Sequence, residues 1–246
     1  ATIVNQFVSS DVDLIFANAT ASLQAASAAT SDIPIVATSI TDYATALDID
    51  DWTGTTGRNI TGTSDLAPLA DQAAMIKELL PDAKNVGLVY CSSEANSKYQ
   101  VDVVTEELEK LGYTCTPYAF ADSNDVVSVV TTACDSSDVI YIPTDNTAAA
   151  NTEIINNVAE PAGVPIIAGE EGICEGCGIA TLSIDYYSIG KIAGDMAYDI
   201  LVNGADPSTM EIKFADGLTK KYVPERCEKL GITVPDDYVA IGETAE

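Results

Sequence analysis

The chain has 246 residues, of which 47% are hydrophobic and 7% aromatic, as in a globular protein of two domains. It carries a formal net charge of −27, from 11 Lys and Arg against 38 Asp and Glu. Because phosphate contacts require clustered Lys and Arg, this balance argues against nucleic-acid binding. No apolar run approaches the ~18 residues that a membrane-spanning helix requires.

Short apolar runs alternate along the chain with stretches of helical periodicity. Several runs are apolar throughout, which is typical of strands covered on both faces of a sheet. The predicted strands are Val12–Phe16, Ile33–Ala37, Asn59–Ser64, Val86–Tyr90, Cys115–Phe120, Val139–Ile142, Val164–Ala168 and Ile179–Ile184. The predicted helices are Ala21–Thr30, Leu66–Leu80, Ser97–Leu111, Asp125–Cys134, Thr147–Ala162 and Tyr186–Asn203. This alternation predicts an α/β protein with parallel sheets built from βαβ units.

The two halves of the chain resemble each other. Residues 31–37, SDIPIVA, parallel residues 162–168, AGVPIIA, which predicts two similar α/β lobes. The second half begins with a complete strand–helix–strand over about residues 86–121, whereas only the helix-like stretch Ala1–Val8 precedes the matching point of the first half. On this comparison the first lobe lacks an opening βαβ of roughly 40 residues, and the sequence is interpreted as a fragment.

Polar residues follow the predicted strands, at the edge where open parallel sheets bind ligands. Hydroxyls, amides and carboxylates dominate these segments, and Lys98 is the only basic residue beside them in the sequence. A ligand carboxylate would suit the N-terminus of the predicted helix Ser97–Leu111, held by backbone N–H groups and by Ser93, Asn96 or Ser97. The near absence of cations disfavours a highly anionic ligand.

Two aspartates in these segments are candidates to bind an ammonium group. Asp145 and Asp185 each follow a predicted strand and would accept hydrogen bonds from such a group. Together with a carboxylate site, they favour a zwitterionic amino acid as the ligand. The alternative for every Ser, Thr, Asn and Asp in these segments is an ordinary role as a helix N-cap.

The composition argues against catalysis. The chain contains no histidine, which removes Ser–His and Cys–His nucleophiles and histidine metal sites together. No Gly-rich phosphate loop or GxSxG motif is present either. Glu170 and Glu171 are adjacent, and sequence neighbours usually point in different directions, so they are weak evidence for an acid–base pair. We predict that the chain is not an enzyme and takes no cofactor.

Six cysteines are spread along the chain. Cys174 and Cys177 have the spacing of a metal knuckle, but neither a second CxxC nor a histidine completes four ligands, so no metal site is predicted. The pair precedes a strand rather than opening a helix, which disfavours a redox role. Buried thiols, or one local disulfide in the turn 172–178, are expected.

Six separated motifs occur in one order along the chain: Ala17–Ala21, Ile60–Asp65, Ser92–Ser97, Ile142–Thr147, Pro165–Gly172 and Ile184–Tyr187. They resemble ABC transporter solute-binding proteins of the tryptophan/aromatic amino acid type, and the similarity continues through Val234–Pro235. The resemblance implies a type I periplasmic-binding-protein fold, in which two Rossmann-like lobes joined by a hinge close on a ligand. Departures are the cysteines at 174 and 177 and a lengthened acidic region, 44–58, that contains Trp52.

The resemblance implies lobe one with part of the hinge in residues 1–82 and lobe two in residues 83–184. Residues 185–246 then hold the hinge return, a C-terminal helix packing on lobe one, and the tail. The residues that would contact the ligand are Ser93, Asn96 and Ser97 for its carboxylate, Asp145 or Asp185 for its ammonium group, and Thr20, Ala21 and Thr41 from lobe one.

The implied function is the extracytoplasmic solute-binding component of an ABC importer. Its partners would be an amino acid and a membrane permease, and the protein would be a monomeric lipoprotein on the outer face of a bacterial cytoplasmic membrane. One alternative is the ligand-sensing domain of a receptor or regulator. Another is a binding protein for a sugar or nucleoside, although one Trp and four Phe give little surface for stacking sugar rings.

Overall fold

The computed structural model describes residues 1–215 and 217–242 and has the predicted α/β architecture. The helices in this part of the chain are α1 (Thr2–Ser9), α2 (Thr20–Ala29), α3 (Tyr43–Leu47), α4 (Leu69–Leu79), α5 (Ala95–Lys110), α6 (Val126–Cys134), α7 (Asn146–Ala149), α8 (Thr152–Ala162), α9 (Glu171–Cys177), α10 (Tyr186–Asn203) and α11 (Pro224–Leu230). The strands are β1 (Ile15–Asn18), β2 (Ile35–Ile40), β3 (Ile60–Ser64), β4 (Asn85–Cys91), β5 (Thr114–Phe120), β6 (Val139–Ile142), β7 (Ile166–Ala168), β8 (Ala180–Ser183), β9 (Lys213–Phe214), β10 (Thr219–Tyr222) and β11 (Val239–Ala240).

The chain divides into two compact units. Unit 1 comprises Ala1–Leu66 and Asp185–Gly217, and unit 2 comprises Ala67–Ile184 and Leu218–Glu246. The first boundary therefore lies at Leu66 rather than at residue 82, because α4 packs against α5 and β8 of unit 2. The segment after Gly217 also belongs to unit 2, since β10 pairs with β8, whereas α10 packs on β2 and β3 of unit 1.

Unit 1 is built on a parallel sheet in the order β1-β2-β3-β9. The pairing of β2 with β3 shifts register between Ala37 and Ile40. At this irregularity Gly62 has φ +149°, and a Cβ atom there would lie 1.8 Å from the carbonyl oxygen of Ala37. Only glycine fits such a close approach of two backbones.

Unit 2 contains a sheet in the order β11-β10-β8-β7-β6-β4-β5. Strands β4 to β8 run parallel, and β10 is antiparallel to β8. Every residue of β6, β7 and β8 is buried, as expected for apolar strands covered on both faces. Strand β4 is the first strand of this sheet in chain order. It pairs with β5 on one side and with β6 on the other, which is the doubly wound arrangement.

Several elements differ from the sequence prediction. The predicted helix Thr147–Ala162 is two helices, α7 and α8. The segment 172–178, predicted as a turn, contains α9 instead. The short helices α3 and α11 and the strands β9, β10 and β11 were not predicted. Within the ranges that the structure describes, none of the helices has the length and apolar character needed to cross a membrane. The predicted lack of an opening βαβ in lobe one stays a prediction.

Candidate ligand-binding site

The topology of unit 2 brings two predicted loops together. Because β4 and β6 are neighbours in the sheet, the segments after their carboxyl ends, 92–94 and 143–145, lie side by side. Helix α5 begins after the first segment and α7 after the second. This reversal of strand order is the place where doubly wound sheets bind ligands.

Asp145 ties these two loops to each other. Asp145 is 1% exposed, and its Oδ2 accepts a hydrogen bond of 2.7 Å from the backbone N–H of Cys91. Its Oδ1 accepts a bond of 2.7 Å from the N–H of Ala148, which caps α7, and Ser97 donates to the same carboxylate. Burial and the nearby charge of Glu94 raise the pKa of Asp145. The N-cap alternative therefore describes this aspartate, whose oxygens are engaged by the protein itself.

Glu94 is a second carboxylate in the same place. It accepts hydrogen bonds from the backbone N–H groups of Asn146 (3.0 Å) and Thr147 (2.8 Å), and from both of their side chains. Burial acts to raise the pKa of Glu94, but these bonds outweigh it and lower the pKa below its usual value. The N–H groups at the start of α7 are thus already satisfied by a carboxylate of this chain.

The start of α5 contains the residues predicted to hold a ligand carboxylate. Asn96 and Ser97 are buried, and Asn96 donates from Nδ2 to the carbonyl oxygen of Thr144 at 3.0 Å. Gln100 donates to the same oxygen and accepts from the N–H of Thr144, so the backbone of that loop is held twice. Ser93 is exposed. The N-cap residue of α5 makes no side-chain cap bond in the described chain, which leaves the first-turn N–H groups for another acceptor.

The adjacent glutamates lie at the start of α9, Glu170 as its N-cap and Glu171 as its first residue, and bind different groups as predicted. Glu170 accepts from the N–H groups of Gly172 and Ile173 and caps α9. Glu171 accepts from Ser183 Oγ at 2.8 Å and from Lys221 Nζ at 2.7 Å. Lys221 is the cation that the sequence reasoning missed, because β10 was not predicted and no local pattern places it here.

Lys98, the cation that the sequence placed beside the loops, lies on the exposed surface of α5. It pairs with Asp102 at 2.6 Å, and both side chains are 60% exposed. Such an i,i+4 pair stabilises a helix by ~0.3–0.5 kcal/mol.

Unit 1 presents its own loops at the carboxyl ends of β1 and β2. Thr20 is buried and Ala21 exposed at the start of α2, while Thr41 is buried and its carbonyl accepts a 3.1 Å bond from Ser64 Oγ. Ala19 has φ 69° and ψ 158°, and Ser39 has φ 56°. Left-handed φ values outside glycine are uncommon and concentrate at functional loops.

Two carboxylates lie at the remaining part of this edge. Asp185 caps α10 by accepting from the N–H of Tyr187 at 3.0 Å and is exposed. Asp65 directly follows β3, is 5% exposed and accepts from Tyr186 Oη at 3.2 Å. Asp65 ends the motif Ile60–Asp65 but was not predicted as a site residue, although an aspartate directly after a buried strand is a usable signal.

The cysteines are free thiols. Cys174 and Cys177 are buried within α9, and burial raises the pKa of Cys177 to about 12. Of the two expected alternatives, buried thiols or a disulfide in the segment 172–178, the structure has the thiols. Among the described residues, no group of three or more Cys, Asp and Glu side chains is arranged to hold a metal ion.

Comparison with known proteins identifies the family. Residues 1–244 match the family model described as ABC transporter substrate binding protein. The chain belongs to this family. A tyrosine-binding protein from Clostridioides difficile (strain R20291) is 37% identical over 200 residues, which are 81% of this chain and 58% of that protein. The chain thus spans less than two thirds of that relative.

Solved structures show the same relationship. The ABC domain from Streptococcus pneumoniae in complex with L-Trp has a TM-score of 0.91 at 32% identity, covering 96% of this chain and 79% of that one. A ligand-free, open substrate-binding protein with adhesive properties from Clostridium difficile has a TM-score of 0.71 at 34% identity, covering 97% and 82%.

A more distant neighbour is a myo-inositol binding protein from Caulobacter. It has a TM-score of 0.59 at 15% identity, covers 94% of this chain and 81% of that one, and shows the fold alone. These comparisons confirm the type I periplasmic-binding-protein fold. They also confirm that the chain is of a binding family rather than an enzyme family.

Proposed function

We propose that this ABC transporter substrate-binding protein is the extracytoplasmic component of an importer and binds an aromatic amino acid. The observation that carries the proposal is the similarity to a structure in complex with L-Trp, at 32% identity and a TM-score of 0.91. The tyrosine-binding relative points to the same class of ligand. Aromatic amino acids are zwitterions, which agrees with the polar groups at the two sheet edges.

The two edges offer complementary groups for such a ligand. In unit 2, the first-turn N–H groups of α5 with Ser93, Asn96 and Ser97 would take the ligand carboxylate. In unit 1, Asp185 would accept from the ammonium group, because its carboxylate is exposed whereas that of Asp145 is held by backbone N–H groups. We therefore propose that Asp145 fixes the loops after β4 and β6 through its hydrogen bonds to Cys91 and Ala148.

Unit 1 carries predicted contacts at its own sheet edge. Thr20, Ala21 and Thr41 follow the carboxyl ends of β1 and β2, and we propose them as ligand contacts. We propose a monomer that delivers its ligand to a membrane permease and is held as a lipoprotein on the outer face of the membrane. Co-purification of the full-length protein with its permease tests the transport role against the sensor alternative.

The first experiment is a thermal-shift screen followed by calorimetry. Protein stripped of ligand by partial unfolding is mixed with each of the twenty amino acids, with nucleosides and with common sugars. A ligand that binds only the folded state at 100 times its Kd adds about 2.7 kcal/mol of stability, so a hit raises the Tm clearly. We expect shifts with Trp, Tyr or Phe. A shift confined to a sugar or nucleoside would show that the amino-acid assignment is wrong.

A matched pair of variants then tests the ammonium site. Asp185→Asn keeps a good N-cap residue but removes the charge, and Asp195→Asn makes the same change at an exposed position of the same helix. We expect Asp185→Asn to raise the Kd for L-Trp about tenfold, which corresponds to ~1.4 kcal/mol. Binding of 3-indolepropionate, which lacks the ammonium group, should change little. Equal losses for both ligands would remove Asp185 from this role.

A further inference from the structure

The chain passes between the two units at three places. These follow Leu66, Ile184 and Gly217. A polar residue of unit 2 stands near each crossing: Gln72 in the first turn of α4, Ser183 at the end of β8, and Lys221 in β10. Each of these side chains bonds to the same short loop, Gly169–Glu171, which runs from the end of β7 into the first residue of α9.

The three bonds are specific and partly buried. Gln72 is 1% exposed and donates from Nε2 to the carbonyl oxygen of Gly169 at 3.2 Å. Ser183 is 4% exposed and donates to Glu171 Oε2 at 2.8 Å. Lys221 Nζ lies 2.7 Å from the same oxygen, with a side chain 25% exposed. Hydrogen bonds with such little solvent competition fix the positions of the groups they join.

The loop also contacts the ligand-binding edge of unit 2. Thr144 Oγ1 donates to the carbonyl oxygen of Gly169 at 3.4 Å. A Cβ atom on Gly169 would lie 2.5 Å from the backbone nitrogen of Thr144, so the two loops touch through their backbones. Tyr141, fully buried in β6, donates to Oε1 of Gln72 and fixes that side chain from the other side.

We propose that the Gly169–Glu171 loop couples ligand binding to the chain crossings, with Gln72, Ser183 and Lys221 as positioning residues. The inference rests on the proposed function, because the loop adjoins the segment 143–145 assigned to the site. A ligand that orders this edge favours one arrangement of the loop, and the three side chains pass that preference to the crossing segments. Coupling of this kind shifts populations in proportion to the differential binding.

The central variant is Lys221→Met, which removes the charge but keeps the length of the side chain. Its matched control is Lys220→Met on the same strand, since Lys220 pairs with Glu78 and Asp237 rather than with the loop. Lys221→Arg restores a cation. We expect Lys221→Met to raise the Kd for L-Trp about tenfold, within the range for residues that modulate coupling between sites. Lys221→Arg should stay within about threefold of the wild type.

Hydrogen exchange of the ligand-free protein supplies a second measurement. The amides of residues 169–173 should exchange faster in Lys221→Met, while those of β4 and β5 keep their wild-type rates. Wild-type affinity together with wild-type exchange in Lys221→Met would overturn the inference, as would equal effects of Lys220→Met. The exchange experiment needs no ligand, so a wild-type protein that binds no aromatic amino acid would overturn the proposed function and leave this test in force.

Discussion

The sheet edges of unit 1 and unit 2, where the predicted site residues lie, are organised in different ways. In unit 2, buried and half-buried side chains hold the loops: Asp145 bonds to two backbone N–H groups, Glu94 to two more, and Gln100 to the N–H and the carbonyl oxygen of Thr144. In unit 1, the left-handed backbone lies at Ala19, directly after β1, and at Ser39, within β2 where its pairing with β3 shifts register.

This contrast determines which substitutions destabilise each unit. A buried carboxylate or amide that loses its hydrogen-bond partner lowers the free energy of unfolding, so the stability of unit 2 should depend on charge and pH. Backbone packed at close approach responds instead to added volume. The variants below therefore test unit 1 with a methyl group or an aromatic deletion, and unit 2 with changes of carboxylate, one of which is compared with the exposed Asp185 of unit 1.

Gly62→Ala should have the largest effect of these variants. Its Cβ atom would lie 1.8 Å from the carbonyl oxygen of Ala37 and 2.5 Å from Tyr43 Oη, at φ +149°. Because neither strand backbone can move freely in the sheet, we expect unit 1 to lose about 3–5 kcal/mol. Urea unfolding, followed by the fluorescence of Trp52 in the same unit, measures the loss.

The control for this substitution lies in the same unit. A Cβ atom on Gly190 in α10 would meet no described atom beyond its own helix within 4 Å, and alanine favours a helix by about 1 kcal/mol over glycine. Gly190→Ala should therefore leave the stability of unit 1 unchanged or raise it. Similar losses in the two variants would show that steric crowding between β2 and β3 is not the cause.

Asp145→Ala and Asp185→Ala compare the stability contributions of two aspartates for which the sequence predicted the same role. The first change leaves the buried N–H groups of Cys91 and Ala148 without their acceptor, which should cost about 2–4 kcal/mol. The second removes one exposed N-cap bond, worth about 1 kcal/mol. Thermal unfolding monitored by circular dichroism tests the order. Equal losses would contradict the contrast between a buried carboxylate and an exposed cap.

The sequence predicted elements best where a buried strand is a continuous apolar run. The bounds of β6 were predicted as Val139–Ile142, and α10 as Tyr186–Asn203, as the structure has them. Helix α9 was missed because its sequence, EGICEGC, contains two glycines and has weak helix propensity. Its last carbonyl groups are bonded by Arg226 from α11, a contact between segments distant in the chain.

The places of the candidate residues in the fold were predictable, but their contacts were not. Residues after buried strands can be read from the sequence, so the positions of Asp145 and Asp185 at the starts of helices were predicted. That Asp145 bonds to Cys91 depends on β4 and β6 being neighbours, which a local pattern does not contain. The contact of Lys221 with Glu171 could not be predicted for the same reason, because β10 is a polar strand that forms by pairing with β8.

Glu94→Gln should reveal the charge dependence of unit 2 through its response to pH. The pKa of Glu94 is lowered in the folded protein, so its stabilisation is present above the unfolded value, about 4.3, and is lost as the pH falls through the folded value. We expect the variant to be about 1 kcal/mol less stable at pH 7, after allowance for its partial exposure. The difference should shrink below about pH 4.

Measurement of this effect requires urea titrations of wild type and variant at several pH values. Glu153→Gln, at an exposed position in the first turn of α8, makes the same chemical change without the bonds that Glu94 accepts from the start of α7. A stability difference for Glu94→Gln that persists unchanged at pH 3 would mean that the neutral amide itself disrupts the loop, rather than the loss of charge.

Trp52→Ala should have the smallest effect and tests unit 1 without changing a charge. Trp52 is 39% exposed and stacks on Tyr43 with ring centroids 6.4 Å apart at 16°. Aromatic pairs contribute about 0.5–1.5 kcal/mol beyond area, so we expect a loss near 1 kcal/mol, and Trp52→Phe should recover most of it. Circular dichroism measures the loss, because Trp52 is the single Trp of the chain. If Trp52→Ala instead raised the Kd for L-Trp more than tenfold, the region 44–58 would belong to the binding site, and the unit 1 edge would extend beyond the loops after β1, β2 and β3.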